Sequence, residues 1–145
     1  MEAAGTIEEV IVAEVASTAY HPRTSKHSDT QSLVIIRDLL SSCPRLAQRA
    51  SSGEIVAKLR HHQQVGHNDW VVDIAIGTPA GPPISAPAGE LIRMTAPALI
   101  QIAIELKSIW TEHKKARKNR LRDFDAFQRY AKQYDPKTIA CSQFG

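Results

Sequence analysis

Cysteine is nearly absent from this sequence: there are two in 145 residues, Cys43 and Cys141, and their separation matches no metal-binding or redox spacing. That excludes a disulfide-stapled secreted scaffold and leaves two free thiols in a reducing compartment as the expectation. Aromatic residues are few, at 6%, yet 43% of the chain is hydrophobic against 23% charged, the composition of an ordinary globular domain. No apolar run approaches the roughly 20 residues that span a bilayer. Met1-Glu2-Ala3-Ala4-Gly5 opens with an acid where a secretory leader has basic residues. A cytoplasmic protein with no membrane partner is therefore expected. There is no internal repeat, and a net charge of +3 permits a polyanionic partner without demanding one. The length suits a single domain over 1–145, with 1–27 as an N-terminal extension and loop and 28–141 as the core.

What the sequence does hold is an apolar run that ends in charge, Leu99-Ile100-Gln101-Ile102-Ala103-Ile104-Glu105-Leu106-Lys107. As a strand with alternating side chains, it puts Ile100, Ile102, Ile104 and Leu106 on a pure core face. Gln101, Ala103, Glu105 and Lys107 fall on the other. A charge on an apolar strand is costly unless it is paired or bound to a metal, so Glu105 and Lys107 mark a site. A second strand, Trp70-Val71-Val72-Asp73-Ile74-Ala75-Ile76-Gly77, is interrupted in the same way by Asp73, which shares a face with Val71 and Ala75.

The rest of the chain frames these two strands. A short amphipathic helix is predicted over 6–20, followed by a polar loop over 20–28 that carries Arg23 and Lys26 and could touch phosphates. Leu33, Ile36, Leu39 and Leu40 predict a packing helix from Ser28 or Asp29 to Cys43-Pro44. A second helix is predicted over 54–60, capped by Ser51 or Ser52. Glu54 near its start suits the helix dipole, with a metal-ligand role as the sharper alternative. His61, His62 and His67 invite a zinc reading, but adjacent His61 and His62 point apart on a strand and no spacing supports a tetrahedral site. A turn over 66–69 joining two strands fits better. Four prolines and three glycines over 77–90 make a surface loop, and 91–94 is a short strand.

A long helix over 112–134, capped by Thr111, carries an apolar stripe of Leu121, Phe124, Phe127, Ala131 and Tyr134. Its first half concentrates base: His113, Lys114, Lys115, Arg117, Lys118, Arg120 and Arg122, against Glu112 and Asp123. Such a run is either a solvated face or a phosphate-contacting one, and its place just after Glu105 and Lys107 favours phosphate. Asp135-Pro136 ends the helix, and 137–141 reads as a strand barely begun.

Two carboxylates on neighbouring strands can converge on one hard divalent ion, which prefers oxygen ligands. Such an ion polarises phosphoryl oxygens and acidifies bound water, while Lys107 can orient or deprotonate the attacking water and offset the developing charge. With Asp73 on one strand, Ile104-Glu105-Leu106-Lys107 on the next and a basic helix following, the chain resembles the PD-(D/E)XK nuclease superfamily, which includes many type II restriction endonucleases. Val72 stands where the family's name has proline. The resemblance implies an α/β fold, a small mixed β-sheet flanked by helices as in restriction endonuclease-like cores. It also implies Mg²⁺- or Mn²⁺-dependent cutting of double-stranded DNA, with Asp73, Glu105 and Lys107 as catalytic positions. Asp73 and Glu105 would be the metal ligands, joined by Glu54 or, less well, by Glu14. Lys114, Lys115, Arg117, Lys118, Arg120 and Arg122 would contact DNA, and cutting both strands favours a homodimer. The family core has a further strand after the basic helix, so a sheet truncated at the C-terminus is expected. Two alternatives stay open: an inactive or truncated nuclease-fold protein that binds DNA or a partner, and a structural Glu105/Lys107 ion pair in an unrelated α/β protein.

Overall fold

The computed structural model describes residues 25–107 and 114–144, with side chains at 29–106 and 122–143. The helix predicted over 6–20, Glu14, the basic loop as far as residue 24, Thr111, Glu112 and His113 lie outside the described residues. The chain divides into two compact units.

The first unit holds helices α1 (Ser25–Ser42) and α2 (Pro44–Ser51), the chain to Ile55, and the segment Pro82–Arg93. The apolar spacing read from the sequence is the packed face of α1: Ile36 and Leu40 are buried, Leu33 and Leu39 half-buried. The helix begins at Ser25, ahead of the anticipated Ser28 or Asp29. Pro44, read only as a stop, also starts α2, because proline suits the first turn of a helix, where its missing N–H has no partner to lose. Gly53, at φ +81°, follows in a left-handed conformation; a Cβ there would run into the backbone of Ile84, whose nitrogen is 2.7 Å away. Nearby, Ala86 N–H donates to Ser51 O at 3.0 Å, pinning the proline-rich segment to the end of α2. That segment is irregular and mostly exposed, as its prolines predict.

The second unit holds all of the sheet but Arg93. Strands β1 (Val56–Val65), β2 (Asn68–Thr78), β3 (Arg93–Met94), β4 (Leu99–Lys107) and β5 (Ile139–Phe144) lie in the order β3-β1-β2-β4-β5. β1, β2 and β4 are successively antiparallel, whereas β5 runs parallel to β4. A parallel pair needs a crossover, and helix α3 (Lys114–Tyr134) supplies it. The fold is thus mixed α/β, with a five-stranded mixed sheet and three helices among the described residues, the class that the sequence predicts.

Two local expectations are corrected. The predicted helix over 54–60 is a turn running into β1, where Val56, Ala57, Lys58 and Leu59 pair with Gly77, Ile76, Ala75 and Ile74. Burial of Val56 and Ala57 within the sheet outweighs the weak helix preference of so short a segment. The strand barely begun at 137–141 instead runs to Phe144 and pairs with β4 from Ile102 through Lys107, so the sheet does have a strand after the basic helix.

The core between sheet and α3 collects Val65, Trp70, Val72, Ala75, Ile100, Ala103, Phe127 and Ala131. Phe127, Ala131 and half-buried Tyr134 are the stripe read from the sequence; Trp70 meets Phe127 and Tyr134 with ring centroids 5.3 and 5.9 Å apart. The side chain of Leu121 lies outside the described ones. The expected all-even core face of β4 does not survive, because Ile100 shares this cluster with Ala103. The cause is a bulge: Ile76 pairs with Ile102 but Gly77 pairs with Ile100, so Gln101 is the extra residue and the alternation reverses there. Among the described residues no helix is long and apolar enough to cross a membrane.

Candidate active site

The ladder between β2 and β4 stops at the pair Ile74–Ile104, although both strands continue past it. Beyond that pair, β2 stays paired to β1, from Val72–His61 to Asn68–Val65. β4 stays paired to β5 from Glu105–Ser142 to Lys107–Phe144. The two middle strands therefore part like a fork. Asp73 is the first residue of one prong and Glu105 the first of the other, one step beyond the last pair.

Asp73 is half-buried at the crotch of the fork, and its Oδ2 accepts the main-chain N–H of Leu106 at 2.7 Å. This bond spans the gap where the ladder has already ended and fixes the Asp73 carboxylate against the strand that bears Glu105. A carboxylate has about four acceptor positions, so one amide leaves most of its capacity. Glu105 is also half-buried, and its Oε2 accepts from Ser142 Oγ at 3.4 Å, a contact that orients the acid from the β5 side. Lys107 lies two residues on, opposite Phe144; its side chain lies outside the described ones. The sequence thus anticipated the adjacency of the Asp73 and Glu105 strands.

The other expected site residues lie on other elements. Glu54 is not on a helix: it is exposed in the first unit, where its Oε2 lies 3.3 Å from Arg49 Nε. Lys114, Lys115, Arg117, Lys118 and Arg120 fall in the first two turns of α3, and their side chains lie outside the described ones. Arg122 is exposed on the same helix. The histidines occupy the β1–β2 hairpin. His61 Nε2 is 3.3 Å from Gln63 Oε1, while His62 Nδ1 is 2.7 Å from Asp69 Oδ2, an exposed and hence weakly stabilising pair.

Among the described residues no group of three or more His, Cys, Asp or Glu is gathered to hold a metal ion. A magnesium site asks for less, because that ion is usually bound through one or two carboxylates with water and phosphate oxygens completing its shell. Two acids from adjacent strands, offering only oxygen ligands, fit that requirement.

Sequence reasoning missed two features of these strands. Ser142 lay beyond the point where the last strand was thought to fade, and nothing in its local sequence advertises it. Arg60, in the strand read as a helix, has φ +50° and is the one non-glycine with a positive φ among the described residues. Non-glycine residues pay about 1–2 kcal/mol for that conformation, and such outliers concentrate at functional sites. No family model, curated protein or solved structure matches the chain.

Proposed function

We propose that the chain is a metal-dependent endodeoxyribonuclease of the PD-(D/E)XK type, acting in the cytoplasm on double-stranded DNA. The observation that carries the proposal is the fork: an aspartate and a glutamate from adjacent antiparallel strands at the point where the ladder opens, with Lys107 on the glutamate's prong. The strand order, with β5 parallel to β4 after the basic helix, supports the same reading, since the resemblance calls for a strand there.

Asp73 and Glu105 would hold Mg²⁺ or Mn²⁺, and the chemistry that such an ion supplies is polarisation of a phosphoryl oxygen and a lowered pKa for bound water. The Leu106 N–H holds Asp73 in place, so its ligand geometry costs little to assemble. Ser142 does the same for Glu105. Lys107 orients the attacking water or takes its proton, and its charge offsets that building on the phosphorus-centred transition state. The water oxygen bonds to phosphorus, one bridging P–O bond of the phosphodiester breaks, and the departing oxygen takes up a proton. The basic half of α3 supplies a salt-sensitive grip on the duplex backbone. Cutting both strands calls for two copies of the chain related by a twofold axis.

A second reading rests on the same hydrogen bond. An aspartate that terminates a ladder by accepting from Leu106 N–H already has a structural task, which suits a nuclease-fold protein that binds DNA or a partner without turnover. Plasmid incubation separates the two. Under the first reading the unmutated protein nicks or linearises plasmid with Mg²⁺ and not with EDTA, while Asp73→Asn and Lys107→Ala, folded by circular dichroism, do not. No cutting by the unmutated protein would retire the enzyme and leave the binding module.

A further inference from the structure

The fork is also a bend. β1 and β2 pair at Leu59–Ile74 and again at His61–Val72, but the step between, Arg60 and Asp73, carries no ladder pair, and Arg60 has φ +50°. The pleat changes there: Val72 and Ala75 share the cluster that holds Phe127 and Ala131 of α3, although residues three apart on an unbroken strand point to opposite faces. Beyond the step, from His61–Val72 to Val65–Asn68, the hairpin is a two-stranded ribbon, and it runs back over α3. Continued straight past the fork, it would carry Gly66 about 40 Å from Ile100. Instead Trp70 meets Tyr134 with ring centroids 5.9 Å apart, and the same tyrosine accepts Ile100 N–H at 2.9 Å. At the tip, Gln133 Nε2 lies 3.2 Å from where a Cβ on Gly66 would stand. The ribbon's tip thus reaches the end of α3, beside the start of β4, and Asp73 lies at the turn.

Among the described residues, side-chain packing is what holds the ribbon down. β2 has left β4 there, and β3, two residues long, borders β1 back at Ala57, whose O accepts Thr95 N–H at 2.9 Å. A two-stranded hairpin is marginal by itself, so the ribbon owes its order to Val65, Trp70 and Val72 against Phe127 and Ala131. Docking carries two costs. Arg60 is held in a left-handed conformation that disfavours a side chain. The indole N–H of Trp70 is buried with no acceptor among the described residues. An element with open edges and such costs opens at a lower free energy than the whole domain unfolds.

We infer that the ribbon over 61–72 is a flap that opens as a unit about the Arg60–Asp73 step, and that its docking on α3 sets the Asp73 carboxylate. Asp73 is at the hinge, and the bond it accepts from Leu106 N–H ties the turn to β4. Opening breaks that bond and withdraws one acid from the pair, so assembly of the pair is coupled to docking of the ribbon. What this does to catalysis rests on the nuclease reading, whereas the hinge does not.

Native-state hydrogen exchange on the full-length, isotope-labelled chain, followed by NMR across low denaturant, tests the flap. Protected amides of the ribbon should share one opening free energy, smaller than that of the β2–β4 ladder. Leu106, although on β4, should exchange with the ribbon. Ile76 is buried in the sheet, and its packing survives in the open flap, so Ile76→Val should speed the ladder amides about twofold to tenfold and leave the ribbon and Leu106 unchanged. Val65→Ala, which loosens the ribbon far from Asp73, should speed the ribbon and Leu106 amides by one common factor, on the order of tenfold. The flap is overturned by a single opening free energy for ribbon and ladder. It is equally overturned by a Leu106 amide that is unprotected, follows the ladder under Ile76→Val or ignores Val65→Ala. These exchange classes in a protein that cuts no plasmid would uphold the flap and retire the hydrolysis.

Discussion

The pairing of β2 with β4 is irregular at both ends, and the two irregularities are built differently. At one end, Gln101 bulges out of the ladder while Ile100 pairs with Gly77, and neutral side chains from the end of α3 and its connection to β5 hold the Ile100 main chain. Ile100 N–H donates to Tyr134 Oη at 2.9 Å, and Thr138 Oγ1 donates to Ile100 O at 2.8 Å. Gly77 lets the strands approach so closely that a Cβ there would overlap the Leu99 carbonyl. At the other end, the ladder opens into the fork, and the orphaned amide of Leu106 is met by the carboxylate of Asp73. Both ends satisfy the main chain, as buried backbone must. An asparagine or a hydroxyl would have served Leu106 equally well, so the open end differs from the closed one in using an ionisable group, beside a second one.

The closed end should be the more fragile. Gly77→Ala places a methyl group on a main-chain oxygen that neither strand can move without unpacking Ile100 and Ala75 from α3, so a loss of about 3 kcal/mol or outright failure to fold is expected in urea denaturation. A loss below about 1 kcal/mol would mean that the bulge is soft. Asp73→Asn reverses the pattern. The amide oxygen still accepts from Leu106 N–H, so stability should change by less than about 1 kcal/mol, while plasmid cutting should fall on the order of 10²–10⁴-fold. A stability loss as large as that of Gly77→Ala would make the carboxylate structural.

Tyr134→Phe is the intermediate case. It removes the acceptor of Ile100 N–H and leaves a part-buried amide unpaired, with an expected cost of about 1–2 kcal/mol. The ring contact with Trp70 is kept, so melting should remain cooperative and cutting by the folded fraction should be unchanged. A change in cutting would show that the two ends of the ladder are mechanically coupled.

How much of this was legible follows from what each feature depends on. β2 and β4 could be read from their β-branched, apolar runs, and α1 and α3 from stripes at helical spacing, because those patterns are set by burial of the segment's own side chains. β1 was legible only in part: the turn over 66–69 called for a strand before it, but its start at Val56 was read as a helix, and His61, His62, Gln63 and Gln64 alternate between half-buried and exposed with none apolar, so only the partner strand reveals the period. α2 was hidden because Pro44 signals a stop and a start alike. Asp73 and Glu105 stood out as charges in apolar strands, which is how they were found. Their supports, Leu106 N–H and Ser142 Oγ, are a main-chain group and a common polar residue, set by register alone.

The smallest expected effect concerns Cys141, the residue before Ser142 on β5. Cys141 pairs with Ile104 and its Sγ lies 3.9 Å from Ala103 O, so partial burial pushes its thiol above the ordinary value. The folded state then holds this proton more tightly than the unfolded chain does. The resulting stability is fully present below the unfolded thiol pKa and is lost as pH rises through the raised folded one. Iodoacetamide should therefore alkylate Cys141 in the folded protein more slowly than the same cysteine in an unfolded peptide between about pH 8 and 9, with the two rates converging at higher pH. Replacing Ser142 by alanine should leave that profile unmoved, because successive side chains of a strand point to opposite faces of the sheet. Equal rates throughout would mean that the sheet does not shield the thiol.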